Sequence, residues 1–177
     1  MKKLLLLLLI LIVLLSCGRG GKELYTAPSR VVPDSFAIGL NLFNKGRAAS
    51  RNSANMDSVL FYMQLAENFF KREGDKAQVN RFIAFIYSSR GMLDEAMPYF
   101  LKASRMANEW QYSSICQEVA KVYAAAGRFR EGVLVMDLIR KNMNDRTVVP
   151  YYHLAKGNLW AGVNEYDSAV TYYRTAS

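Results

Sequence analysis

One histidine, two cysteines and four prolines occur in this 177-residue chain, and each scarcity closes off a class of chemistry. A single histidine, His153, excludes histidine-rich metal sites and paired imidazoles. Two cysteines, Cys17 and Cys116, cannot build a disulfide framework. No glycine loop precedes a lysine in phosphate-binding form, and no nucleophile has a nearby partner base. The expectation is a chain that is not an enzyme and uses no metal or cofactor. Acid is short as well: 15 Asp and Glu stand against 23 Lys and Arg, a formal charge of +8. Setting aside Lys2 and Lys3, which belong to a leader described below, leaves 21 against 15, or +6. That excess favours anionic surfaces and acidic partners and falls short of a nucleic-acid footprint. Runs of alternating polarity, the mark of half-buried strands, are almost missing. What the chain does have is apolar surface. At 51% hydrophobic residues it is too apolar for disorder and long enough for one domain with one continuous core.

Lys2-Lys3 followed by the unbroken apolar run Leu4 to Leu15 has the form of a secretory signal. Extended to Cys17 it makes only about 21 Å of helix at roughly 1.5 Å per residue, short of a hydrocarbon core of roughly 30 Å. Leu14-Leu15-Ser16-Cys17-Gly18 resembles the lipobox of bacterial lipoproteins, with Leu15 where that family usually has a smaller residue. The resemblance implies a signal peptide over 1–16, removed by cleavage before Cys17, and a diacylglycerol and palmitate-type acylation at Cys17. Two or three acyl chains, at about 0.8 kcal/mol per buried methylene, hold a protein to a leaflet. The glycine- and proline-punctuated residues 17–33 then read as a flexible tether. By resemblance to lipoprotein sorting, the lack of an aspartate after Cys17 implies the outer membrane. The lack of an acidic run in the tether implies the periplasmic side.

From Asp34 the pattern is helical, and it repeats. Val59, Ala96, Gly132 and Ala169 are separated by 37, 36 and 37 residues, and so are Ala66, Ala103, Ile139 and Ala176. Three residues before the first set stand the large apolar Met56, Leu93, Phe129 and Tyr166. Two residues earlier again come Gly91, Gly127 and Asn164, types that tolerate a left-handed backbone. The first unit has Ala54 there, beside Asn55. Helices are expected near 34–47, 56–73, 77–90, 93–107, 111–126, 129–143, 149–162 and 165–176.

These columns resemble the tetratricopeptide repeat family over roughly residues 41–177. Ala84, Tyr87, Gly91, Leu93, Ala96, Phe100 and Ala103 carry the pattern in the second unit. Ala120, Tyr123, Gly127 and Phe129 carry it in the third, where Gly132 replaces the usual alanine. Gly157, Trp160, Asn164, Tyr166, Ala169, Tyr173 and Ala176 carry it in the fourth. The first unit is weakest, with Arg47 where a small residue belongs and a polar stretch to Asn55. The family resemblance implies an all-α fold over 34–177: a right-handed superhelical α-solenoid of antiparallel helix pairs, about four repeats of 36–37 residues. Pairs of this kind bury their apolar stripes only by stacking on one another. Ala176 is followed by Ser177 alone, and the expectation is a longer native chain or a covering molecule.

His153 and Cys116 occupy equivalent core-facing places one repeat apart and read as packed residues. Arg128, Arg130, Arg140, Lys141 and Arg146 read as a solvated face. Off the packing stripe of the first helices lie Arg81 and Phe85, Gln117 and Lys121, and Tyr151 and Asn158. In a solenoid these six line a groove for a protein or an extended, acidic peptide. The Lys/Asn/Arg clamp that some family members close on a terminal carboxylate is not found. The reading is a lipid-anchored envelope scaffold that binds polypeptide, with membrane contact through Cys17 and no nucleic-acid contact. The alternative is the sensory repeat module of a longer signalling or transcription-regulatory protein. A glycan-uptake lipoprotein would want more chain and a cluster of tryptophans, whereas Trp110 and Trp160 stand apart in sequence.

Overall fold

A computed structural model describes residues 34–51, 55–140 and 149–177; Cys17, the leader, the tether, Ala54, Lys141 and Arg146 lie outside the described residues. Eight helices occur among them: α1 (Ser35–Arg51), α2 (Met56–Phe69), α3 (Glu73–Ser89), α4 (Leu93–Met106), α5 (Glu109–Ala125), α6 (Phe129–Arg140), α7 (Val149–Gly162) and α8 (Tyr166–Ala176). The chain is all-α over this span. The most extensive packing joins α1 to α2, α3 to α4 and α7 to α8. Each helix also touches the one after it, and α3 meets α5, α5 meets α7 and α4 meets α6.

Three hairpin turns are built alike. After α3, Gly91 sits at φ +77°, its N–H bonds the Ser88 carbonyl at 2.9 Å, and the Met92 N–H bonds the Tyr87 carbonyl at 3.1 Å. After α5, Gly127 at φ +70° bonds Ala124 and the Arg128 N–H reaches Tyr123 at 2.9 Å. After α7, Asn164 at φ +62° bonds Ala161 and the Glu165 N–H reaches Trp160 at 3.2 Å. This is the Schellman closure, which satisfies carbonyls that a helix end would otherwise leave open. The left-handed residue is needed each time, and the sequence supplies glycine twice and asparagine once.

The small-residue column lies in the core. Val59, Ala96, Gly132 and Ala169 are all buried, as are Ala66, Ala103 and Ile139, whereas Ala176 is half-buried. Gly132 departs from the repeat pattern for a local reason. A Cβ there would come within 2.8 Å of Tyr123 Cβ and 2.9 Å of Leu159 Cδ2. Tyr123 and Leu159, both buried, have taken the volume that alanine fills elsewhere. The column before it is less uniform. Leu93 is buried, Met56 and Phe129 are half-buried, and Tyr166 is exposed with its hydroxyl on Asn164 Oδ1 at 2.9 Å.

The core has two parts. Phe43, Val59, Met63, Phe70, Val79 and Ile83 are among the residues of the first, and the larger second runs from Ala84 to Leu159. Tyr87 and Tyr99 stack at 5.6 Å and pack against both. Polar contacts then tie units at one-repeat spacing. Lys102 pairs with Glu67 at 2.8 Å, Arg81 with Glu118 at 2.7 Å and Arg128 with Asp94 at 2.7 Å. Gln111 Nε2 donates to the Gly74 carbonyl at 2.7 Å while its other end completes a capping box with Asn108.

Three expected boundaries are corrected. Helix α2 stops at Phe69 instead of continuing to 73, because Phe70 turns extended and buries its ring against Phe36, 5.7 Å between centroids. The polar residues after it open α3 four positions earlier than expected, with Glu73 and Asp75 in the first turn, where carboxylates favourably meet the helix dipole. Helix α1 runs on to Arg51, beyond the expected 47, and the second of its two buried glycines, Gly46, lies against Met63 and Tyr62, one place before Arg47. Asn55 caps α2 by accepting from the Asp57 N–H. Pro98 lies inside α4, which runs unbroken.

The tight site at Gly132 yields a test. Alanine in a helix is worth about 1 kcal/mol over glycine, but overpacking costs about 1–3 kcal/mol. Gly132→Ala is therefore expected to lower the urea midpoint, by roughly 1 kcal/mol of stability. An unchanged or raised midpoint would show that Tyr123 and Leu159 yield freely.

Candidate functional site

The faces of α3 and α5 that sequence reasoning singled out do meet, but through a pair it did not anticipate. Arg81 on α3 is one helical repeat from Glu118 on α5. Its Nε donates to both carboxylate oxygens at 3.0 Å and its Nη2 to Oε1 at 2.7 Å. Nη1 reaches Gln78 at 3.4 Å. Both partners are half-buried, so the forked geometry orders the two chains more firmly than a surface pair would. The guanidinium also lies 5.9 Å from the centre of the Trp110 ring. Arg81, expected as a basic residue of the groove, is paired with Glu118.

Two hollows adjoin at Phe85, whose ring is 48% exposed. One is walled by Gln78, Arg81, Phe82, Phe85 and Glu118. The other, about 350 Å³, lies between the C-terminal halves of α3 and α5, and its walls include Phe85, Leu93, Lys121, Val122 and Ala125. It is almost wholly apolar. The hydroxyls on its rim, Ser88 and Ser89, donate to the carbonyls of Ala84 and Ile86. Lys121 is exposed and is in no ion pair among the described residues.

The other three expected groove residues are placed elsewhere. Gln117 is exposed and borders neither hollow. Asn158 Oδ1 accepts from the Tyr173 hydroxyl at 2.8 Å, a link from α7 to α8. Tyr151 borders a separate hollow with Asn108, Glu109, Trp110 and Ser113. The residues that sequence reasoning missed are Glu118 and Trp110. The repeat spacing that aligned Arg81 with Gln117 could have flagged Glu118 beside it. Two residues of the basic stretch meet carboxylates: Arg128 binds Asp94 and Glu131, and Arg130 lies 3.6 Å from Glu165.

A second polar cluster joins α6, α7 and α8. Lys156, buried, donates to Asp137 and lies 4.8 Å from the Tyr172 ring centre, while the Tyr152 hydroxyl donates to Asp137 at 2.7 Å. Burial works against the Lys156 charge, but Asp137, Tyr172 and Tyr152 outweigh it and hold the proton above the ordinary lysine range. Burial pushes Tyr152 up to about 12. His153 stacks on Tyr172 at 5.6 Å, its Nδ1 buried without a partner. Cys116, its equivalent one repeat earlier, is fully buried, and burial pushes its thiol up to about 12, far from a reactive thiolate. No group of three metal-ligating side chains occurs among the described residues. No described helix is long and apolar enough to cross a membrane. Compared with models of known protein families and with curated proteins, the chain matches none.

Burial, then the positive charges of Arg140 and Lys156, lower the His153 pKa below its ordinary 6.5. The unfolded chain therefore takes up the proton first as pH falls. The stability is fully present above 6.5 and is lost as pH drops from there toward the lower folded value. Urea midpoints measured from about pH 7.5 down to about 5 should fall in the native chain and fall less in His153→Phe. Equal slopes in the two would remove His153 as the source.

Proposed function

We propose that this chain is a lipid-anchored scaffold of the cell envelope whose helix pairs stack as a right-handed α-solenoid of the tetratricopeptide kind and bind a polypeptide. Three identical Schellman turns in phase, and ion pairs that join units at one-repeat spacing, support the stacked arrangement. The observation that carries the binding role is the pair of adjoining hollows sharing Phe85, with the uncommitted Lys121 at the rim of the apolar one. An extended segment that seats an apolar side chain beside Phe85 and places a carboxylate near Lys121 meets both features. The leader and Cys17 supply the anchor, facing the periplasm from the outer membrane, by their resemblance to bacterial lipoproteins.

Arg81 is the wrong residue to reverse, because its loss strands Glu118 and disturbs the fold. Phe85→Ala and Lys121→Glu are the informative changes, both on exposed side chains. In a pull-down from envelope extracts, each is expected to weaken capture of the partner by about tenfold. Lys121→Glu should also remove the salt dependence of association. Capture that is unaltered in both variants would sink the groove assignment. For the anchor, Cys17→Ser should abolish labelling by radioactive palmitate and shift the protein from the membrane to the soluble fraction. Persistent labelling would place the lipid elsewhere.

A further inference from the structure

The most exposed large apolar side chain among those described is Trp110, at 68%. Leaving an indole in water forgoes a large burial gain, yet the ring is held in place. Glu118 fixes Arg81 by three hydrogen bonds, and the Arg81 guanidinium lies over the Trp110 ring. Beyond Trp110 is a hollow of about 310 Å³, at the small end of ligand sites, which run from about 300 to 1,000 Å³. Its second aromatic wall is Tyr151, 44% exposed, contributed by the next unit. Glu109, Ser113 and Asn108 complete the lining.

The hydrogen-bonding state of this rim narrows the ligand. No described residue bonds the Glu109 carboxylate, the Ser113 hydroxyl or the Tyr151 phenol. The Asn108 side-chain oxygen is spent on the Gln111 N–H, leaving its amide N–H groups. The rim therefore offers an acceptor-only carboxylate, two hydroxyls that donate or accept, and one amide donor. An anion would face Glu109. A cation would have to share Trp110 with the Arg81 guanidinium. A proline-rich strand suits aromatic walls but presents mainly carbonyl acceptors, which leaves Glu109 without a donor. A wholly apolar ligand would strip water from every rim group and replace none of its bonds. What remains is a neutral molecule with a flat C–H face and a rim of hydroxyls.

We infer that the Trp110–Tyr151 hollow is a binding site for a neutral saccharide. A pyranose ring lays its C–H face on the indole, and its hydroxyls donate to Glu109 and exchange hydrogen bonds with Ser113, Tyr151 and Asn108. This site is separate from the Phe85–Lys121 hollow and does not depend on the polypeptide reading.

The chain has only two tryptophans, and the other, Trp160, is packed against the core, so ligand at Trp110 is visible in emission. The full chain in detergent micelles would be titrated with maltotriose, cellotriose, chitotriose and, as a peptide probe, decaproline, with calorimetry alongside. Saturable binding of at least one saccharide is expected, with a change in tryptophan emission. Trp110→Ala should weaken it at least about tenfold, the scale of one stacked ring. Tyr151→Ala and Glu109→Gln should each weaken it several-fold, and Trp160→Phe should leave it in place. Tyr151→Ala and Glu109→Gln decide the matter if Trp110→Ala loses its helical circular dichroism. The inference is overturned if no saccharide binds, if binding survives the site substitutions, or if decaproline alone binds in a Trp110-dependent way.

Discussion

Three of the helix pairs in this structure depend on one backbone event: a residue in the left-handed region closing the first helix of the pair. At Gly91, Gly127 and Asn164 the same two N–H groups reach back to the same two carbonyls. The outer acceptor is the carbonyl of Tyr87, Tyr123 or Trp160, so each aromatic residue is tied to the turn by its backbone while its ring packs beside the helix. The turn thereby fixes where the second helix begins. Five residues after the left-handed position the small-residue column arrives at the interface in register. A change in the turn would displace that column by a fraction of a helical turn and open the contact it makes.

The polar contacts divide according to the distance they span. Of those at one-repeat spacing, Glu67–Lys102 joins second helix to second, Arg81–Glu118 joins first to first, and Asp94–Arg128 joins α4 to the residue just before α6. Each is modest in energy at partly exposed positions, and their role is register more than strength. The Arg81–Glu118 pair does one thing more. By holding its guanidinium over Trp110 it connects the interior order of α3 and α5 to an aromatic ring standing in solvent. A structural pair thus lies against an exposed aromatic surface. The buried Lys156 is different, because its ammonium is kept charged by Asp137 and two tyrosines, and removing Asp137 would leave a cation in a place with no other anion bonded to it.

Helix existence and most helix ends were legible from residue types alone, because turns and caps are local chemistry. Gly91 and Gly127 announce their turns, and the 36–37-residue columns predict which small residues are buried. The failures came where tertiary contact overrode a local pattern. Residues 47–51 read as a polar linker, but α1 continues through them where Gly46 packs on Met63. Phe70 belonged, by periodicity, inside α2, but its ring is drawn to Phe36 and the helix ends. Gly132 looked like a flaw in the repeat until Tyr123 and Leu159 were seen to occupy its missing methyl.

The surface was less legible than the core, for a physical reason. Burial leaves a periodic trace in the sequence, since most buried positions are apolar or small, with Asn80, Gln111 and Lys156 among the exceptions. Pairing between exposed side chains leaves almost none, since many arrangements satisfy solvent equally well. Sequence alone therefore determined the all-helical class, the turn positions of the last three pairs and most of the inward positions. Only the tertiary structure decided that Arg81 is spent on Glu118, that Lys121 is not spent, and that Trp110, isolated in the chain, has Tyr151 across a hollow from it. Those outcomes depend on how neighbouring helices bring side chains tens of residues apart within a few ångströms, which no local pattern specifies.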